Sequence, residues 1–129
     1  MVDEQLIAIV DDDRPVRVSL RRLLKSFGYS VTVFPSGVEF LTSTHLVETD
    51  CLIADINMPS MTGVDLYQRL IKLGHAIPTI LITAYADEAV RSRALNDGVI
   101  GYLQKPVDEG DLMHCLRLAL DRHNHDPNS

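Results

Sequence analysis

Four short apolar runs in the sequence each deliver a polar side chain at their carboxyl end. Leu6 to Val10 runs into Asp11 and Asp12, Cys51 to Ala54 into Asp55, Thr79 to Ile82 into Thr83, and Val99 to Gln104 into Lys105. Strands of this kind alternating with helices build a parallel sheet, and such sheets bind ligands in the crevice outside the carboxyl ends of their strands. Three carboxylates, a hydroxyl and an ammonium therefore converge on one edge. Crowded carboxylates repel by about 4 kcal/mol per close pair at an effective dielectric near 20, so the cluster implies a cationic occupant. An oxygen-only ligand set suits a hard divalent ion, and Mg²⁺ characteristically takes one or two carboxylates together with water and a substrate phosphate. A phosphoryl group on a carboxylate has three oxygens to neutralise; the metal serves one, and Lys105 and Thr83 can serve the others. Pro106 makes a cis peptide accessible after Lys105, which would turn the ammonium inward.

The elements that must position these residues follow from periodicity. Leu6 to Val10 is apolar throughout, as expected for a strand covered on both faces. Asp12 or Asp13 then offers a cap, Pro15 suits a first helical turn, and Val16, Leu20, Leu23, Leu24 and Phe27 form a helical stripe that Gly28 stops. Tyr29 to Phe34 reads as an edge strand, and Ser36 with Glu39 makes a capping box for a short helix through about Thr42. A polar connection from His45 to Asp50 leads to the third strand and the loop 56–63. The helix after it places Val64, Tyr67, Leu70 and Ile71 on one face and ends at Gly74. Pro78 opens the fourth strand. Asp87 caps a helix through Asn96, Gly98 stops it, and the last helix runs from Glu109 to about Arg122. Residues 1–122 form one domain, and 123–129 form a polar, flexible tail without periodicity.

Composition narrows the function classes. With 129 residues, 46% hydrophobic content and a net charge of −6, the chain makes a single domain with a real core. It has no clustered Lys/Arg run of the kind a nucleic-acid surface needs, so this segment is not expected to bind nucleic acid. Apolar stretches of about five residues and an acidic amino terminus indicate neither a membrane span nor export, which leaves the cytoplasm as the expected compartment. Cys51 and Cys115 read as buried reduced thiols. His123, His125 and Asp126 lie in the polar tail without opposing ligands, and His45, His75 and His114 have no paired nucleophile. Met58 and Met61 flank Pro59 and are expected to pack its loop down. No glycine-rich phosphate loop is present.

In order, Ile9-Val10-Asp11-Asp12, Ala54-Asp55-Ile56-Asn57-Met58-Pro59, Gly63, Ile82-Thr83-Ala84 and Lys105-Pro106 resemble the receiver domain of two-component response regulators, over roughly Leu6 to Leu120. Arg14-Pro15-Val16-Arg17 and Pro78-Thr79-Ile80 resemble the FixJ-like branch. The resemblance implies a flavodoxin-like (βα)5 α/β fold, a five-stranded parallel sheet in order 2-1-3-4-5 with helices on both faces. It implies that Asp55 accepts a phosphoryl group from a histidine kinase or phosphotransfer protein. Asp12 and Asp55 would hold Mg²⁺ by their side chains, Asp11 directly or through water, and Asn57 by its backbone carbonyl. By the same resemblance Lys105 pairs with the phosphoryl oxygens, Thr83 and Tyr102 form the switch, Asn57 and Tyr85 shape phosphoryl lifetime, and Gly63 and Pro106 are structural.

Two other classes compete. An aspartate-based phosphatase would carry a second acid two residues after its nucleophile, where this chain has Asn57; a degenerate receiver would lack part of the acid, hydroxyl and lysine set. Val90, Ala94, Leu95, Leu112, Leu116 and Leu120 suggest an apolar surplus on the fourth helix, fifth strand and fifth helix, a face for a partner or a homodimer. The chain is either a complete single-domain regulator or a receiver from a longer protein.

Overall fold

The structure, a computed structural model, describes residues 5–124. Five parallel strands, β1 (Leu6–Val10), β2 (Ser30–Phe34), β3 (Cys51–Asp55), β4 (Thr79–Thr83) and β5 (Gly101–Gln104), lie in the order β2-β1-β3-β4-β5. The helices are α1 (Arg14–Ser26), α2 (Gly37–Leu41), α3 (Gly63–Lys72), α4 (Glu88–Asn96) and α5 (Glu109–Asn124). This is the flavodoxin-like doubly wound arrangement expected from the sequence. Alternation along the central strands explains both faces of the core. Ile7, Ile9, Cys51, Ile53, Ile80 and Ile82 pack with Leu20 and Leu24 of α1 and with Leu112 and Leu116 of α5. Ala8, Val10, Leu52, Ala54 and Leu81 pack on the opposite face with Phe40, Leu66, Leu70 and Ala94. Cys51 and Cys115 are buried free thiols, and burial pushes both upward in pKa.

Several local expectations are corrected. Asp13 occupies the N-cap position of α1, yet its side chain makes no capping hydrogen bond; instead its N–H donates to Asp11 Oδ1 at 2.8 Å. Ser36 Oγ accepts from Glu39 N at 3.2 Å, which is half of the expected box. The reciprocal box sits at α3, where Thr62 and Asp65 each accept from the other's N–H at 3.1 Å. Asp at the third helical position does there what Glu or Gln usually does. On α3, Leu66 rather than Ile71 faces the sheet, and Ile71 is exposed. The connection before β3 holds a 3-10 turn, Leu46–Glu48, with Leu46 buried. Helix α5 continues through Asn124, so His123 and Asn124 belong to it; the rest of the expected tail, with His125 and Asp126, lies outside the described residues. No helix among the described residues is long and apolar enough to cross a membrane.

The surplus expected on the α4–β5–α5 face is smaller than the sequence suggested. Ala94 of α4 is buried in the core on one face of the sheet, and Leu112, Leu116 and Leu120 of α5 are buried in the core on the other, while Leu118 of α5 is exposed. Val90 and Leu95 remain half-buried. A different asymmetry appears on α1, which carries Arg14, Arg17, Arg21, Arg22 and Lys25 with no acidic residue. All five fall within residues 14–25, interleaved with the apolar residues of the helix.

Candidate active site at the carboxyl edge of the sheet

Each strand places one component. The ladder hydrogen bonds run a residue beyond the strands: Asp11 N donates to Phe34 O at 3.1 Å, Ile56 N to Ile82 O at 2.8 Å, and Lys105 N to Thr83 O at 2.7 Å. The backbone under the site is thereby fixed by the sheet itself. Gly63, at the start of α3, lets the loop fold back onto β3; a Cβ there would stand 2.6 Å from Asp55 O. Met58 is buried under this loop, and Met61 packs against the core beside it, as expected. The Lys105–Pro106 peptide is cis.

The carboxylates converge as the sequence required. Ligand atoms of Asp11, Asp12 and Asp55 lie within 4.8 Å of one another. Asp11 and Asp55 are 0% and 2% exposed, whereas Asp12 stands at the open mouth. Lys105 Nζ sits 2.9 Å from Asp11 Oδ2 and 3.5 Å from Asp55 Oδ1. The closer contact has the length of a charge-assisted hydrogen bond, and the Lys105 ammonium is the partner of Asp11 Oδ2. Burial raises the Asp55 carboxyl and Asp11 adds to the rise, against the Asn57 N–H, which donates to Asp55 Oδ1 at 3.1 Å, and the Lys105 ammonium. For Lys105, burial works against the charge, but the two carboxylates outweigh it and hold the ammonium above its usual range. One ammonium is thus shared by two buried acids. The donor set is all oxygen, partly open to solvent and short of positive charge, and it fits a divalent cation such as Mg²⁺.

Thr83 is 1% exposed, and its hydroxyl is engaged by Asn57 and Tyr85. Thr83 Oγ1 donates to Asn57 Oδ1 at 2.7 Å and accepts from Tyr85 N at 3.0 Å, while Ala84 N donates to the same Asn57 oxygen at 3.1 Å. Tyr102 is half-buried against the core, and its hydroxyl accepts from Asp87 N at 3.1 Å, where α4 begins. Asp87 caps that helix by accepting from Ala89 N and Val90 N. The other end of α4 is held by Tyr67, whose hydroxyl donates to Asp97 O at 2.9 Å. Tyr85 is exposed.

All the expected acids, the lysine and the threonine meet at one edge. Three contacts were not legible beforehand. The Asn57 side chain reaches across to Thr83, Tyr67 pins the end of α4, and Arg17 Nη1 donates to Asp11 O at 2.7 Å. The pairing of Asn57 with Thr83 is a tertiary event with no local signal.

Residues 7–117 match the family model described as the response regulator receiver domain. Among curated relatives, the chain is 38% identical over 117 residues to the response regulator protein TmoT of Ectopseudomonas mendocina, covering 91% of this chain and 53% of that protein. It is 31% identical over 116 residues to the transcriptional regulatory protein FixJ of Azorhizobium caulinodans, covering 90% and 55%. The chain therefore spans about half the length of these relatives. The crystal structure of FixJ-N superposes with a TM-score of 0.83 at 30% identity, covering 97% of this chain and 98% of that one.

Proposed function

This chain belongs to the response regulator receiver family, in its FixJ-like branch and in two-component signalling, and from that premise we propose that Asp55 is its phosphoacceptor. One observation carries the assignment: a nearly fully buried aspartate, raised by burial, faces a shared lysine ammonium and two further carboxylates at an edge open to solvent. An Asp55 oxygen attacks the phosphorus of a phosphohistidine on a sensor kinase or phosphotransfer protein. The P–N bond breaks with its electron pair going to the ring nitrogen, the imidazole leaves neutral because its other nitrogen already carries a proton, and an acyl phosphate remains. Asp12 and Asp55 would hold Mg²⁺ with their side chains, Asp11 directly or through water, and Asn57 through its carbonyl. Bound there, the ion supplies charge neutralisation at the phosphoryl oxygens. Lys105 moves its ammonium from the carboxylates to the phosphoryl group, and Thr83 brings its hydroxyl to a third oxygen.

The added charge of about −1.5 to −2 is then read by the loop 84–87 and by Tyr102, which already contacts the start of α4. Self-association through α4, β5 and α5 rests on Val90 and Leu95 with the polar residues around them, given the burial of the other four apolar residues. Asn57 and Tyr85 flank the site where water would reach the acyl phosphate. The chemistry is confined to gaining and losing the chain's own phosphoryl group, in the cytoplasm and without direct contact to nucleic acid. A phosphatase would need an acid where Asn57 spends its side chain on Thr83 and Ala84. The test is Asp12→Ala. It should lose Mg²⁺ binding and phosphoryl uptake together while unfolding as cooperatively as the parent, since it also relieves like-charge repulsion. A metal titration unchanged by this substitution would show that the acids do not share an ion.

A further inference from the structure

We propose that the Asn57 side chain is a latch that holds Thr83 and the loop after β4 away from the acid pocket in the unmodified protein. The proposal rests on Asp55 being the phosphoacceptor, and it assigns Asn57 a positioning role that acts through Thr83. Hydrogen-bond chemistry fixes the orientation. The Ala84 amide can only donate, so the carboxamide must present its oxygen, and that oxygen then takes the Thr83 hydroxyl hydrogen at 2.7 Å. A hydroxyl has one hydrogen. Its alternative acceptor here is Tyr85 O, at a longer 3.1 Å, while one of the hydroxyl's two lone pairs receives the Tyr85 amide. Thr83 therefore cannot donate to an oxygen carried by Asp55 until it gives up its present partner.

The same residue is tied to the acceptor from the other side, because Asn57 N donates to Asp55 Oδ1. Its backbone thus senses the carboxylate while its side chain restrains the switch. Asn57 is exposed, so its carboxamide fills no core space and its bonds compete with water. That makes a restraint weak enough to release. The charge arriving at Asp55 offers Thr83 an anionic acceptor, and hydrogen bonds to charged groups are the stronger kind.

Amide hydrogen exchange on the unmodified, metal-free protein tests the latch directly. In Asn57→Leu and Asn57→Ala, the Ala84 and Tyr85 amides should exchange about tenfold faster than in the parent, with Ile9 in β1 unchanged as a check on folding. With a small acyl-phosphate donor and Mg²⁺, both variants should gain the phosphoryl group about threefold faster, since less restraint opposes the switched loop. In a Thr83→Val background that gain should vanish; a role in admitting water would persist there. Unchanged exchange at Ala84 and Tyr85, or a gain undiminished by Thr83→Val, overturns the latch. Failure of the parent protein to take up a phosphoryl group counts against the Asp55 assignment, whereas uptake without the exchange and rate effects counts against the latch alone.

Discussion

Replacing Lys105 with Met keeps the stem and removes the only cation in contact with two buried acids among the described residues. At an effective dielectric near 20, a contact of 2.9 Å to Asp11 and one of 3.5 Å to Asp55 correspond to roughly 6 and 5 kcal/mol of attraction. Desolvation of the ammonium offsets much of this, and loss of one partner from a buried pair typically costs about 3–5 kcal/mol. The pocket mouth is open at Asp12, so the lower end applies, about 3 kcal/mol in metal-free buffer at neutral pH, or roughly 10 °C in Tm. The sign of the pH dependence follows from the raised ammonium. Its stabilisation is complete below the ordinary lysine range and is lost as pH rises through the raised value, so parent and variant converge in strong alkali. They also converge in acid, as Asp55, itself raised, takes up its proton. Mg²⁺ should narrow the gap at neutral pH and bind the variant about tenfold more tightly, since no ammonium shares the carboxylates. Urea unfolding with and without Mg²⁺ measures all of this. Metal-free stabilities within about 0.5 kcal/mol of each other would refute the reasoning.

Asp55→Asn removes a carboxylate whose ionisation is disfavoured by burial, so it should stabilise the metal-free protein at neutral pH; the gain should disappear below the ordinary carboxylate range near about pH 4, where both states are protonated. Gly63→Ala should destabilise by about 2 kcal/mol or more in urea titrations although alanine is the better helix former, because the new Cβ meets backbone at 2.6 Å. Tyr67→Phe should cost about 1 kcal/mol and speed exchange at Gly98 and Val99 without touching the acid pocket; an unchanged unfolding midpoint would mean that the bond to Asp97 contributes nothing.

What was legible in the sequence was whatever repeats or is spaced locally. The unbroken apolar runs of β1, β3 and β4 announced strands covered on both faces, and the polar residue after each run announced the site, because a parallel sheet brings equivalent strand ends together. Side chains that act across the fold were silent. Asn57 pairs with Thr83 26 residues away and Tyr67 with Asp97 30 away, and neither leaves a mark on periodicity. The leucines of α5 are ambiguous in sequence for a related reason: helical spacing shows that Leu112, Leu116 and Leu120 share a face, while the packing of the last helix decides which way that face turns. On α3, Ile71 is exposed because Leu66 lies closer to the centre of the buried stripe with Tyr67 and Leu70.

Site mapping of the modification bears most directly on the central claim. The protein is incubated with Mg²⁺ and a small acyl-phosphate donor, digested, and the phosphoryl group located by mass. One phosphoryl group is expected, carried by Asp55, and none in Asp55→Asn or when the metal is omitted. A phosphoryl group found on a histidine or serine, or full uptake by Asp55→Asn, would contradict it.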